Sequence, residues 1–214
     1  RALRLADHEP LSDAAGEIEP TILLYVIEPV RLNQPDTDPT HIAWELDCAN
    51  ELDKSLRKIG GSLRIVHSNI IDCLKQIHRE HGINSIYSHQ ETGTTWSYER
   101  DRAVKKWCEG EKVSWREYPV NGVVRGLKDR DLWKGLRDKR MRTSPISPPT
   151  RINTVGNEVV KPTLSSMGLT PRKLSHRPPP GEDAALDTLQ SFLASRGELY
   201  RWRMSSPNQA SHHC

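Results

Sequence analysis

Two periodicities alternate along the chain. Thr21 to Ile27, "TILLYVI", is a continuous apolar, β-rich run between Pro20 and Pro29, as expected of a strand covered on both faces. Comparable runs lie at 62–67, 83–88 and 112–118. Between them the apolar spacing becomes helical. From Thr40 to Ile59 it falls on Ile42, Leu46, Ala49, Leu52 and Leu56, and Gly60-Gly61 reads as the stop. Helices are also expected over "DHEPLSDAAG", with Pro10 in the first turn and Gly16 at the end, over 69–79, and over 95–109 with Thr94 or Thr95 as cap. "EPVRLNQPDTDP" reads as loop. Strands alternating with helices of this length require crossover connections, hence a parallel sheet with helices on both faces. "RALRL" at the start reads as the end of a further strand and the loop after it.

After Tyr118 the pattern changes. Residues 126–182 combine a basic segment with most of the prolines ("TSPISPPT", "HRPPPGED") and no sustained period, which predicts an extended interdomain linker. From Asp183 the spacing is helical again, with Leu186, Leu189, Phe192 and Leu193 on one side and Gly197 as the stop. The organisation predicted is an α/β domain over 1–125, the linker over 126–182, and the start of an all-α domain over 183–214. Arg1 opens the chain and Cys214 falls in mid-pattern, so both ends read as cut.

Composition narrows this little. The net charge of +3 on 214 residues does not by itself imply a nucleic-acid partner, but eight basic residues against three acidic ones crowd into Arg125–Arg142. That segment is a solvated helix with i,i+4 ion pairs or a phosphate-facing patch. Cys48, Cys73, Cys108 and Cys214 are widely spaced without a CxxC pair, which predicts free thiols in a reducing, cytoplasmic setting. No apolar run reaches membrane-spanning length and no secretory leader is visible.

Open parallel sheets take ligands at the carboxyl ends of their strands, so the candidate loops are 1–7, 28–38 and 89–95. Glycine-rich phosphate motifs, GxGxxG or GxxxxGK[ST], do not occur. Trp96 and Tyr98 could stack on a flat ligand, or one could pack in the core and the other face solvent. His89 beside Glu91 is a candidate acid–base pair, or a structural histidine at a strand end. His212, His213 and Cys214 lack a fourth ligand at zinc spacing, so no metal is expected.

Taken in order, these segments resemble the photolyase/cryptochrome family. "RALRLADHEPL" is similar to its opening signature, with Ala2 where members usually carry Asp. "ILLYVIEP", "LRKIGGSLRIVHSNIIDCLKQI" and "IYSHQETGTTWSYERDRAVKKWC" resemble the following strand and helix units, the last with Glu99, Arg100 and Asp101 opening its helix. "GELYRWRMSSP" resembles the start of the flavin domain. The resemblance implies a Rossmann-like antenna domain, a wrapping linker and a helical FAD domain. It also implies a fragment of a monomeric, light-dependent deoxyribodipyrimidine photo-lyase acting on pyrimidine dimers in DNA, or of a blue-light cryptochrome that binds FAD without repair. Photolyases are established examples of base-flipping enzymes, and the photochemistry belongs to the flavin.

By resemblance, Tyr200, seven residues before Pro207, contacts FAD phosphate, and Cys214 stands just before the family's phosphate-binding Ser-Arg-Leu-Ser run. Met204 stands where repair members carry a DNA-contacting Arg, with Arg203 as the alternative cation. Trp96 and Ser97 stand where folate-binding members carry Asn-Glu. This speaks against a folate antenna and leaves a flavin or deazaflavin antenna chromophore, or an empty crevice. A stand-alone nucleotide-binding module is the third reading, and the coreless segment 183–214 argues against it.

Overall fold

The computed structural model describes residues 2–120, 122–155, 160–174, 176–206 and 208. Its elements run α1 (Glu9–Gly16), β1 (Leu23–Ile27), α2 (Pro29–Leu32), α3 (Pro39–Arg57), β2 (Leu63–His67), α4 (Ile70–His81), β3 (Ser85–His89), α5 (Thr95–Glu111), β4 (Ser114–Tyr118), α6 (Trp133–Met141), α7 (Glu182–Ser191) and α8 (Tyr200–Arg203). The strands expected at 21–27, 62–67, 83–88 and 112–118 are present, each five residues long, with β3 running one residue past its expected end to His89.

Among the described residues all strand pairing is parallel. β1 pairs with β2 in the register Leu23↔Leu63 to Ile27↔His67, and β3 pairs with β4 from Ser85↔Ser114 to His89↔Tyr118. The α/β architecture is therefore as expected, delivered as two two-stranded pieces. Ala2–Leu5, the predicted strand end, forms no ladder with either piece.

Helix starts follow local chemistry. The Asp38 side chain accepts from Thr40 N at 2.7 Å, with Pro39 as the first helical residue of α3. Asn69 accepts from Ile71 N at 2.9 Å to open α4. His8 opens α1 by accepting from Leu11 N on Nδ1 at 3.1 Å. The 28–38 segment contains the short helix α2, because Pro29 presets the first-turn φ and Glu28 O accepts from Arg31 N and Leu32 N. At the end of α3, Gly60 takes φ +88°, and a Cβ on Gly61 would lie 2.6 Å from Ile152. The pair thus ends the helix, as expected, and also admits the linker.

Alternation along β1 explains why two cores form. Ile27, with Leu63 and Ile65 of β2, packs under Leu46, Ala49 and Leu56 of α3, and Leu23 and Tyr25 join them. Leu24, of opposite parity, joins Leu74, Val104, Trp107, Cys108 and Val113 beneath α4 and α5. Helices consequently cover both faces. Ile27, Ile42, Leu56 and Ile65 are the largest fully buried side chains, each worth about 1.5–3 kcal/mol of transfer free energy.

The linker is strapped across α3. Asp53, 3% exposed, accepts from Leu63 N at 2.7 Å, Lys161 Nζ at 2.8 Å and Arg57 Nε at 3.1 Å. Further along, Arg172 pairs with Asp38, Arg177 pairs with Asp47, and Trp44 Nε1 donates to Pro178 O at 3.0 Å. The basic segment forms a 3-10 turn, Arg130–Leu132, and α6. Within it Arg137 pairs with the adjacent Asp138, while Arg125 pairs outside it with Asp101 and Glu117, so the described pairs are not i,i+4 pairs.

Candidate functional site

Residues from four loops meet at the carboxyl ends of the strands. Glu28 directly follows β1 and is 5% exposed. One of its oxygens lies 3.6 Å from Arg100 Nη1, and the other accepts from Ile70 N, the first residue of α4, at 3.3 Å. Glu91 follows β3. Its Oε1 accepts from Thr92 N and Gly93 N, both at 2.8 Å, and its Oε2 accepts from Arg100 Nη2 at 3.0 Å. Arg100 also holds Asp101 at 3.1 Å. Arg125 lies 3.7 Å from the other Asp101 oxygen and donates to Glu117 at 2.6 Å. Glu182, the first residue of α7, accepts from Leu5 N at 2.7 Å and Ala6 N at 3.1 Å.

Burial pushes the Asp101 carboxyl above its ordinary range, with Arg100 pulling the other way. Beside this network the rings of His8 and His89 are 4.9 Å apart. Burial, then His89, lowers His8 to about 4. Burial, then Arg4, lowers His89. Both imidazoles are thus neutral at pH 7. Neither ring nitrogen of His89, nor Arg4 Nε, has a hydrogen-bond partner among the described residues.

These positions revise several sequence expectations. His89 and Glu91 do not form an acid–base pair: Glu91 turns to the N–H groups ahead of α5 and to Arg100, while the His89 ring lies tilted against that of His8. Trp96 is half-buried under Arg100 and Tyr98 is exposed under Arg102, so each ring face carries a guanidinium. Thr94 stands at the N-cap of α5, as expected, but makes no side-chain cap bond, and Glu91 takes the N–H groups of Thr92 and Gly93 ahead of it. Glu28, Glu117, Arg125 and Glu182 were not singled out in the sequence. Glu28 had a readable signal, a carboxylate directly after an apolar strand run, but Glu182 lies 177 residues from its partner Leu5.

Of the two flavin candidates, Tyr200 opens α8, is exposed, and packs edge-to-face on Phe192 at 5.4 Å. Cys214 lies outside the described residues, as do His212 and His213. Met204 ends α8 exposed, with Arg203 half-buried beside it. Cys48, Cys73 and Cys108 are free and buried. Among the described residues no group of acidic, His or Cys side chains is arranged to hold a metal, and no helix is long and apolar enough to cross a membrane.

The family model described as DNA photolyase matches residues 1–125, more than half of the chain. The chain belongs to the DNA photolyase family. Within it, a bacterial class III photolyase from Agrobacterium tumefaciens superposes with a TM-score of 0.74 at 21% identity, over 93% of this chain and 44% of that one. A cryptochrome from Synechocystis sp. PCC6803 gives 0.75 at 20% identity, over 93% and 46%. Cryptochrome-1 of Spalax judaei is 21% identical over 221 residues, 92% of this chain and 37% of that protein. The chain thus spans less than half the length of these relatives, and the alignments reach well past the α/β region into the linker and the helices after it.

Proposed function

We propose that these residues form the antenna domain, wrapping linker and opening helices of a light-dependent DNA photolyase whose flavin acts on pyrimidine dimers. The observation that carries this reading is the path of the linker. It is strapped to α3 at Asp53, Asp38 and Asp47 and brings α7 to the carboxyl end of the sheet, where Glu182 binds Leu5 and Ala6. The helices thereby start beside the crevice, as two domains exchanging excitation require. Tyr200 is proposed as a flavin-phosphate contact and Cys214 as the neighbour of the next such contact. DNA is the proposed partner, the protein is proposed to act as a cytoplasmic monomer, and the crevice is read as the place of a second chromophore.

The cryptochrome reading is favoured by Met204 and by the naming of two of the three relatives above. The test is to express the uninterrupted reading frame containing these residues, measure its flavin content, and assay light-driven reversal of a cyclobutane dimer in an oligonucleotide. Repair supports photolyase. Flavin without repair supports cryptochrome. A frame that holds no flavin removes both. The 214-residue chain by itself is expected to purify without stoichiometric flavin, and a yellow preparation would contradict the placement of most of the flavin site elsewhere.

A further inference from the structure

From Lys128 to Arg142 the chain carries seven basic and three acidic residues, an excess larger than the net +3 of the whole sequence. α6 is pinned on one side to the loop before it. Trp133 Nε1 donates to Gly122 O at 2.9 Å, Arg140 donates to Val123 O at 2.5 Å, and the Arg137 guanidinium lies over the Trp133 ring at 5.4 Å. These three residues are spaced i, i+4, i+7 and form the inner face. Gly135, Lys139 and Arg142 repeat that spacing two positions later, which turns them about 200° away from it, toward solvent. Two of the acids are engaged locally: Asp129 accepts from Asp131 N at 2.9 Å, and Asp138 pairs with Arg137 at 3.0 Å. Among the described residues no carboxylate pairs with Lys128, Arg130, Lys134, Lys139 or Arg142, and all five are exposed.

A merely solvated helix does not need this arrangement. Gly135 sits inside α6 with nothing within 4 Å of the place its Cβ would take. No packing within the chain excludes a side chain there, yet a mid-helix glycine costs about 1 kcal/mol relative to alanine. Bare backbone between Lys134, Lys139 and Arg142 lets an anionic polymer approach closely. We propose that the outward face of α6, with the turn before it, docks the phosphate backbone of duplex DNA, independently of base sequence and of damage. Cations without anionic partners match closely spaced phosphates and gain from the release of condensed counterions. Trp133, the aromatic residue of this segment, is committed to Gly122 and Arg137, so base stacking is not part of the contact. A lipid surface fits less well. The exposed Leu136 and Met141 lie five positions apart, about 140° around a nine-residue helix, and make no single apolar face. The contact goes beyond the proposed function, because it requires neither flavin nor a dimer.

The experiment follows the fluorescence anisotropy of a short, labelled, undamaged DNA duplex titrated with the 214-residue protein over a series of salt concentrations. The logarithm of the binding constant should fall against the logarithm of salt with a slope of about −3 to −4, as three or four phosphate contacts give. Lys139→Gln combined with Arg142→Gln should reduce that slope by about two and weaken binding at low salt by at least about tenfold. Lys105→Gln combined with Lys106→Gln makes the same charge change at exposed positions of α5 and should leave slope and affinity nearly as they were. Gly135→Leu alters no charge and should weaken binding severalfold by blocking close approach. Absent or salt-independent binding, equal losses from the α5 and α6 pairs, or an unchanged affinity in Gly135→Leu would each overturn the proposal. So would a protein that leaves the duplex free and co-sediments with phosphatidylserine vesicles through Lys139 and Arg142, which would make this face a lipid contact. The flavin and repair assays stand apart from all of these outcomes, so failure here and failure of the photolyase reading are distinguishable.

Discussion

α3 and α7 begin from the same kind of pattern and end differently. Both carry apolar residues at helical spacing behind a start signal. α3 buries Leu46, Ala49 and Leu56 against β1 and β2, while α7 and its π-helical continuation leave Leu186, Leu189 and Leu193 exposed, Leu193 at 75%. Periodicity fixes which side of a helix is apolar and says nothing of what that side meets. The energetic consequence is large, because a buried leucine contributes transfer and dispersion energy that an exposed one does not. α3 is held by tertiary packing. α7 is anchored at its first turn by Glu182 and continues over Phe192–Arg196, where the Arg196 guanidinium donates to Thr188 O.

The comparison breaks most visibly in the core. Leu56→Ala removes a side chain 1% exposed between α3 and β2 and should cost about 2–5 kcal/mol. A urea midpoint that does not move would mean that this cluster does not carry the stability of the domain. Next comes the strap. Asp53→Ala leaves Leu63 N and Lys161 without their buried acceptor, and a loss of about 1–3 kcal/mol is expected. The Asp53 carboxyl is raised by burial but brought below its ordinary range overall by Leu63 N, Lys161 and Arg57. A depressed acid contributes stability above its unfolded value of about 3.9 and loses it as pH falls through the folded value. Its share of acid unfolding should therefore appear below about pH 4 and be absent in Asp53→Asn.

A sharper handle sits at the crevice, where His8 titrates at about 4. A histidine with a lowered folded pKa binds its proton more tightly when unfolded. Stability is full above the unfolded value of about 6.5 and declines as pH falls from there toward about 4. Protonation also converts Nδ1, the acceptor that caps Leu11 N, into a donor. His8→Asn keeps a side-chain cap and removes the titration, so the pH dependence between about 6.5 and 4 should flatten while stability at pH 8 is retained. An unchanged slope would assign the titration to another group.

These cases also show what could be read in advance. The strands, α1, α3, α4 and α5, and the glycine stop at Gly60-Gly61 were legible because each is a local matter of spacing and capping. The site was legible only in part. The crevice could be placed by the rule that ligands sit at the carboxyl ends of parallel strands, and Glu91 and Arg100 fell in quoted segments. What Glu91 binds was not legible, since Thr94 offered an equally good cap on paper. Arg100 meets Glu28 across 72 positions, and Glu182 meets Leu5 across 177. Contacts of that range depend on sheet registry and linker path, which no local window contains.

The smallest effect is the one that best isolates the contrast. Leu193→Ser replaces an apolar side chain on the exposed side of the C-terminal helices. Since the leucine already faces water in the described structure, the change should alter the urea midpoint of the 214-residue chain by no more than about 0.5 kcal/mol. Solubility should rise, because a patch made with Leu186 and Leu189 shrinks. The same substitution in a longer chain carrying the proposed flavin domain tests that proposal. There, a loss of about 1–3 kcal/mol would place Leu193 in a packed core, with the apolar period of 183–196 read correctly as the first face of a helical domain. A neutral result in the longer chain as well would make this side of α7 a true surface, and the start of a second core would have to be sought elsewhere than at residue 183.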